Sequence, residues 1–155
     1  MGLFSFIKDA GAKLFGKKHE EDTRSIEEIN FEKAQKLQAE IMGFGLPVEG
    51  LNIVIDGDRA FVFGTAANQE VKEKIILTVG NTEGIAEVDD KIDVPTPEPE
   101  ARFYTVQKGD YLSKIAKEMY GDASKYNVIF EANKPMLKDP DLIYPGQVLR
   151  VPNLD

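Results

Sequence analysis

Apolar residues near the start of the chain recur at the spacing of one helical face. The stripe consists of Leu3, Phe4, Ile7, Ala10, Gly11, Leu14 and Phe15, and the polar side of Ser5, Lys8, Asp9 and Lys13. This periodicity predicts an amphipathic helix, which either covers a protein core or lies on a membrane surface. We therefore predict an N-terminal helix and a charged connector over residues 1–22.

Residues 23–94 begin with a helix and a hairpin, according to their hydrophobic pattern. Ser25 followed by Glu28 has the form of a capping box, and an apolar stripe continues from there to about residue 42. Two β-prone runs flank the sequence Asp-Gly-Asp at residues 56–58, which predicts a tight turn between two antiparallel strands.

A second helix and a third strand complete this first unit. Asn68 can cap a helix that ends at Gly80, and an alternating segment follows. On that segment one face is formed by Val88, Asp90, Ile92 and Val94. The order helix, strand, strand, helix, strand predicts helices packed on one face of a small sheet.

The remaining residues predict a second small domain. Residues 95–102 are rich in proline and lack apolar periodicity, which is typical of a stiff linker. Residues 103–152 then read as strand, helix, helix and closing strand. We predict an α+β protein with two small domains.

Charge and composition narrow the classes of function. The net charge is −8, and it divides into −9 for residues 1–101 and +1 for residues 102–155, which disfavours nucleic acid as a partner. The acidic first part would concentrate cations around it. The chain has no cysteine, which excludes disulfides and thiolate chemistry, and its one histidine lies in a charged run at His19. No activated nucleophile or acid pair is evident, so we predict that the protein is not an enzyme.

The opening segment does not match the usual targeting signals. Lys8 and Asp9 interrupt the apolar run that a secretory signal needs, and Phe6 stands where N-myristoylation needs serine or threonine. No segment approaches the ~20 apolar residues of a membrane-spanning helix. We expect a cytoplasmic protein without stable membrane insertion.

The second domain resembles a LysM domain over residues 103–152. The segments that carry this resemblance are YTVQKGDYLSKIAKEMYGD, NVIFEANK and IYPGQVLRVP, in that order. LysM domains bind glycans that contain N-acetylglucosamine, and the resemblance implies a groove formed by Gly109, Asp110, Tyr111, Leu112, Asn133, Pro135, Ile143 and Tyr144. One departure is Tyr111, where the family usually has threonine.

The first domain resembles a BON domain over about residues 30–94. The segments VIDGDRAFVFG, EVKEKIILTV and GIAEVDDKI carry this resemblance. A BON domain followed by a proline-rich linker and a LysM domain is similar to a family of small bacterial potassium-binding proteins. That resemblance implies a monomeric, cytoplasmic K⁺ sensor with an unidentified protein partner downstream.

A potassium site needs several neutral oxygens, and backbone carbonyls supply them best. The segment LTVGNTEGIAEV offers a helix C-terminus at Gly80 and a turn at Gly84, although each is equally an ordinary cap or turn by local sequence alone. The resemblance implies that the N-terminal segment packs beside this loop. The implied ligands are the backbone oxygens of Ile7, Ala10, Gly80, Thr82, Gly84 and Ile85.

Acidic residues near this loop have a separate expected role. Glu83 departs from the family pattern, and we expect Asp89 and Asp90 to bias the local field without coordinating the ion. Two other functions stay open at this point: binding of glycans through the LysM groove, and peripheral association with a membrane or the cell envelope through the first helix.

Overall fold

The computed structural model describes residues 3–8, 10–11, 25–96 and 98–154 and confirms the α+β class. The first unit contains β1 (Leu3–Ser5), α1 (Ile26–Gly43), β2 (Val48–Asp56), β3 (Arg59–Ala66), α2 (Gln69–Gly80) and β4 (Glu87–Asp93). The second contains β5 (Arg102–Thr105), α3 (Leu112–Tyr120), a 3₁₀ turn (Ala123–Lys125), α4 (Tyr126–Ala132) and β6 (Val148–Val151).

The sheet of the first unit has the strand order β1-β4-β3-β2. The predicted hairpin of β2 and β3 is confirmed, and β4 returns parallel to β3 because α2 crosses over between them. The core contains alternate strand residues and one stripe of each helix, including Leu37, Ile53, Val62, Ile75 and Val88. Both predicted helix starts are also confirmed: the Oγ of Ser25 accepts from the N–H of Glu28, and the Oδ1 of Asn68 accepts from the N–H of Val71.

The N-terminal segment corrects the sequence-based prediction of a helix. Residues 3–5 form strand β1, which pairs antiparallel with β4. Because side chains alternate between the two faces of a strand, Phe4 and Phe6 face the core, while Leu3 and Ile7 remain about half exposed. The helical prediction is wrong because the apolar residues of this segment fit the period of two of a strand as well as the period of 3.6 of a helix. Phe6, which does not belong to the helical stripe, packs against the core. Residues 12–24, with the rest of the predicted helix, lie outside the described part of the chain.

Helix α2 is buried on almost every side, which is unusual for a helix on a small sheet. Its buried residues are Val71, Glu73, Ile75, Ile76, Leu77, Thr78, Val79 and Gly80. The first unit covers one face of the helix, and β6 of the second unit packs against the other. The second unit pairs β5 with β6 antiparallel around its own core, as the strand–helix–helix–strand prediction requires. Among the residues that the structure describes, every helix is too short or too polar to cross a lipid bilayer.

Candidate functional site

The loop that follows α2 is a short, tightly turned segment. The N–H of Asn81 still donates to the carbonyl of Leu77 at 2.8 Å, and the N–H of Ile85 then donates to the carbonyl of Thr82 at 3.2 Å. Gly84 has a φ of +97°, which favours glycine because other residues rarely adopt it. The chain can therefore leave the helix and enter β4 within a few residues.

The N-terminal segment lies directly on this loop. The N–H of Phe6 donates to the carbonyl of Ala86 at 2.8 Å, and the N–H of Gly84 donates to the carbonyl of Lys8 at 2.7 Å. These two hydrogen bonds continue the β1–β4 ladder into the loop. Segments that are separated by about seventy residues in sequence thus become neighbours, as the family resemblance implies.

Two glycines allow this close approach. The ring of Phe6 lies over the Cα of Gly80, so that a Cβ at position 80 would overlap the ring. A Cβ at Gly11 would overlap the backbone between Asn81 and Thr82. Glycine is needed at both positions because only a backbone without side chains fits the space.

The structure brings all six sequence-predicted ligand residues into this pair of packed segments. The carbonyl of Ile7 accepts from the N–H of Ala10 at 3.1 Å, and that of Thr82 accepts from Ile85. The carbonyls of the other four accept no backbone hydrogen bond from a described residue: Ala10, Gly80, Gly84 and Ile85. Gly80, Thr82 and Ile85 are buried. With respect to the described backbone, each of these four oxygens is therefore open to a further hydrogen bond or to a ligand.

The acidic residues beside the loop are engaged elsewhere. The carboxylate of Asp90 is 3.0 Å from the Nζ of Lys72 and accepts from the N–H of Ile92 at 2.9 Å. Asp89 lies 3.7 Å from the Nζ of Lys91. The described residues contain no group of three or more acidic or histidine side chains that could hold a metal ion.

We expect Gly80→Ala to destabilise the protein by about 1–3 kcal/mol, because the added methyl group displaces the Phe6 ring. Gly43→Ala is a matched control: Gly43 also ends a helix, and a Cβ there meets nothing within 4 Å. Urea unfolding of both variants separates the steric effect from the gain in helix propensity. Equal stability of the two variants would contradict the close contact.

The same loop is attached to the second unit through Asn81. Its Nδ2 donates to the carbonyl of Val148 at 2.8 Å, and its Oδ1 accepts from the N–H of Val148 at 2.9 Å. The hydroxyl of Tyr144 donates to the backbone carbonyl of Asn81 at 3.2 Å. Burial raises the pKa of Tyr144 to about 12, against an opposing effect of a hydrogen bond with Gln147, so that the hydroxyl stays protonated at neutral pH.

A buried ion pair joins the two units at the middle of α2. The Nε of Arg150 on β6 lies 2.8 Å from the Oε1 of Glu73, and both side chains are at least nine-tenths buried. The second oxygen of Glu73 accepts from the Nε2 of Gln69 and from the N–H of Ala101. The negative charge of Glu73 is thus paired with the positive charge of Arg150 inside the interface. A buried ion pair is tolerated only when its charges are paired in this way. Ring contacts between Phe4 and Phe103 extend the interface.

The eight residues of the predicted glycan groove have different surroundings. Tyr111 is exposed, whereas Leu112 belongs to the core of the second unit. The side-chain amide of Asn133 is fully engaged, since it donates to Ile129 and Arg150 and accepts from the N–H of Arg150. The remaining residues of the set lie in the two loops beside it: Gly109, Asp110, Pro135, Ile143 and Tyr144.

Asp110 organises the first of these loops. Its carboxylate accepts from the hydroxyl of Tyr104 at 2.6 Å and from the N–H of Gln107 at 2.8 Å. Burial opposes ionisation, but these hydrogen bonds and the ammonium of Lys114 hold the pKa of Asp110 below its usual value. The hydrogen bond to Asp110 raises the pKa of Tyr104 to about 12.

We expect acid to weaken the second unit through Asp110. Because its folded pKa is lowered, its contribution is complete above the unfolded pKa of about 3.9 and is lost as the pH falls towards the folded pKa. Asp110→Asn should cost about 1.5–3 kcal/mol at neutral pH and flatten the acid dependence. Unfolding curves at several pH values test this, with the exposed Asp141→Asn as the control. An unchanged acid dependence in Asp110→Asn would be inconsistent with this role.

Comparison with known proteins assigns both units to families. The BON domain model matches residues 33–96, and the LysM domain model matches residues 104–152. An uncharacterized protein of Deinococcus radiodurans is 53% identical over 49 residues, which cover 32% of this chain and 19% of that protein. The uncharacterized protein YqbP of Bacillus subtilis is 37% identical over 60 residues, 33% of this chain and 27% of that protein.

A third relative matches along almost the whole length. The Potassium binding protein Kbp of Escherichia coli O6:H1 is 50% identical over 153 residues, which cover 98% of this chain and 99% of that protein. The similarity includes the N-terminal segment and the loop after α2. The chain therefore belongs to the family of Kbp, and in this chain a BON domain is followed by a LysM domain.

Proposed function

We propose that this protein binds potassium through backbone carbonyls of its N-terminal segment and of the loop after α2. The observation that carries the proposal is the set of four carbonyls without backbone hydrogen bonds from described residues, at Ala10, Gly80, Gly84 and Ile85. Ile7 and Thr82 complete the set, because a carbonyl oxygen has a second lone pair after one hydrogen bond. The name of its relative Kbp, a potassium binding protein, supports the choice of ion.

The carbonyl oxygens of this set suit a large monovalent cation. Neutral carbonyl oxygens can replace the hydration shell of K⁺, whereas Mg²⁺ and Ca²⁺ sites use carboxylates. The carbonyl of Gly80, which accepts no backbone hydrogen bond from a described residue, is at the C-terminus of α2, where the helix dipole is negative and favours a cation. Asp89 and Asp90 add negative field nearby, while their own ion pairs keep them from the ligand set.

We further propose that the protein acts in the cytoplasm as a monomeric sensor rather than as an enzyme. An ion held by both segments would stabilise their contact, because a ligand that binds only the folded form shifts the equilibrium towards it. Asn81 and Tyr144 connect the loop to the LysM domain, so that a change in the loop can reach the second unit. A protein partner would then detect the state of the ion site.

Calorimetric titration with KCl and NaCl at matched ionic strength tests the proposed ion binding. We expect binding heat and a higher unfolding temperature with KCl only. At a K⁺ concentration one hundred times the Kd, the stabilisation should be about 2.7 kcal/mol. Identical heats and unfolding temperatures in the two salts would refute potassium binding.

A further inference from the structure

The outer face of the BON sheet is not covered by any other element that the structure describes. Both helices of this domain pack on the opposite face, where Val62 and Val88 belong to the core, and β6 of the LysM domain packs against α2 on that same side. Because side chains alternate along a strand, the neighbours of these core residues point away from the helices. We refer to this outer surface as the open face, and it includes Leu3, Val54, Asp56, Phe61, Phe63 and Asp93.

A contiguous apolar strip crosses the open face. The register pairs Leu3 with Asp89, Asp89 with Phe61, and Phe61 with Val54, so that these side chains form one row from β1 to β2. Phe63 follows Phe61 on the same face of β3. Leu3 is 52% exposed, Val54 45% and Phe63 39%. Single exposed apolar residues are ordinary, whereas a contiguous group on one surface is typical of an interaction site.

The charged side chains of the open face are mostly acidic. The Nη2 of Arg59 lies 3.2 Å from the Oε2 of Glu87, and the Nζ of Lys91 lies 3.7 Å from the Oδ1 of Asp89, so that each cation has an acidic neighbour. Two further carboxylates are exposed and form no ion pair with another described residue: Asp56 and Asp93. The apolar strip therefore lies in a negative field.

The aromatic rings of this face also suit a cation. The guanidinium carbon of Arg59 lies 5.6 Å from the centroid of the Phe61 ring. A cation above an aromatic ring is attracted by the negative charge of the ring face. Phe63 has the more exposed ring of the two, and it offers the same kind of contact to a lysine or arginine from another molecule.

The size of the open face suits a short segment better than a folded subunit. With strands about 4.8 Å apart and residues about 3.3 Å apart, the four strands present about 20 Å by 20 Å, on the order of 400 Å². A standard stable interface buries about 800 Å² on each partner, and transient complexes bury less than about 600 Å² on each. The open face by itself is thus too small for a stable dimer.

We propose that the open face binds a positively charged, partly apolar segment of a partner protein. The apolar side chains of that segment contact Leu3, Val54 and Phe63, and its lysine or arginine side chains lie beside Asp56 and Asp93. The inference does not rest on potassium binding, because none of these five residues belongs to the proposed set of ion ligands.

Charge favours this occupant over the alternatives. A second copy of the chain would bring the same carboxylates face to face, and like charges repel. Anionic lipid and nucleic acid carry the same sign as the open face and are repelled as well. An uncharged apolar segment would leave Asp56 and Asp93 without a partner. Only a basic segment complements both the apolar strip and the carboxylates.

The test uses a synthetic peptide of about 14 residues, with lysine and leucine at helical spacing, which is about 20 Å long as a helix. Fluorescence anisotropy of the labelled peptide follows its titration with the full-length protein in about 50 mM NaCl. We expect a Kd on the order of 10–100 μM, and weaker binding as the salt concentration rises. Peptides with glutamate in place of lysine, or with serine in place of leucine, should bind at least about fivefold more weakly.

Face variants and matched controls locate the binding site. Phe63→Thr keeps a good strand former but removes the exposed ring, and it should weaken binding about fivefold. Its control is Leu142→Thr, which changes an exposed apolar residue in the LysM domain. Asp93→Lys should weaken binding about tenfold, whereas Glu118→Lys changes the net charge by the same amount at an exposed position of α3 and should have little effect.

The amide resonances provide a second measurement, and we expect the largest peptide-induced shifts in β3 and β4. Equal affinities in NaCl and KCl would show that this site is independent of the ion site. Equal weakening by Asp93→Lys and Glu118→Lys would overturn the proposal in favour of unspecific attraction to the net charge. The proposal would also be wrong if the peptide failed to bind. Phe63-dependent dimers in sedimentation would assign the face to a second copy, and Phe63-dependent binding to phosphatidylglycerol vesicles would assign it to a membrane.

Discussion

Deletion of residues 1–11 is expected to abolish potassium binding while the LysM domain stays folded. The deletion removes two proposed ligands, the carbonyls of Ile7 and Ala10, together with β1 and the Phe6 ring that covers Gly80. The LysM domain keeps its own core and its β5–β6 pairing. Calorimetry with KCl should show no binding heat, and the amide resonances of the LysM domain should retain their dispersion.

A point variant distinguishes a ligand role of this segment from a packing role. Gly11→Ala places a methyl group against the backbone of Asn81 and Thr82, so that the segment must move away from the loop while β1 can stay paired. We expect a loss of K⁺ affinity of at least about tenfold, the effect of about 1.4 kcal/mol. Gly43→Ala again serves as the control. Full affinity in the deletion variant would mean that the segment only packs against the BON domain.

Removal of one partner of the Glu73–Arg150 pair should destabilise the interface by about 3–5 kcal/mol. Arg150→Met leaves the carboxylate of Glu73 buried without its cation, and two hydrogen bonds from Gln69 and Ala101 do not neutralise that charge. The measurement is the free energy of unfolding from urea titration, followed by probes in each domain. We expect the transitions of the two domains to separate as the interface weakens.

Two comparisons establish that the effect comes from burial of the pair. The double variant Glu73→Gln with Arg150→Met removes both charges and keeps acceptor and donor atoms at position 73, so it should recover most of the lost stability. Lys134→Ala breaks an exposed pair with Glu131 and should cost only about 0–1 kcal/mol. A loss in Arg150→Met no larger than that in Lys134→Ala would contradict the role of the buried pair.

Local signals in the sequence were sufficient for most elements of the fold. Ser25 and Asn68 cap their helices with their own side chains, and the Asp-Gly-Asp turn joins neighbouring strands. Each of these features depends on residues a few positions apart, whose interactions persist in almost any tertiary context. The N-terminal segment differs, because residues 3–5 form a strand only where β4 offers an edge.

Contacts between the domains could not be predicted in the same way. Glu73 stands in a helix whose apolar stripe faces the sheet, and its spacing indicates a solvent-exposed position. It is buried because β6, almost eighty residues later, places Arg150 against it. The position of Asn81, which joins the two domains, is likewise defined by long-range packing. For the ion site, the sequence resemblance implies residues that the structure brings together. The proposed ligands are backbone carbonyls, which every type of residue supplies, so they leave no pattern in the sequence.

The pairing of β6 has a consequence for the solubility of the protein. One edge of β6 pairs with β5, and its other edge is covered by two asparagine side chains that imitate a neighbouring strand: Asn133 binds both backbone groups of Arg150, and Asn81 binds both of Val148. An uncovered strand edge can recruit a strand from another chain. Because Asn81 comes from the BON domain, separation of the domains exposes Val148, and the BON domain thus also protects the LysM domain from edge-to-edge aggregation.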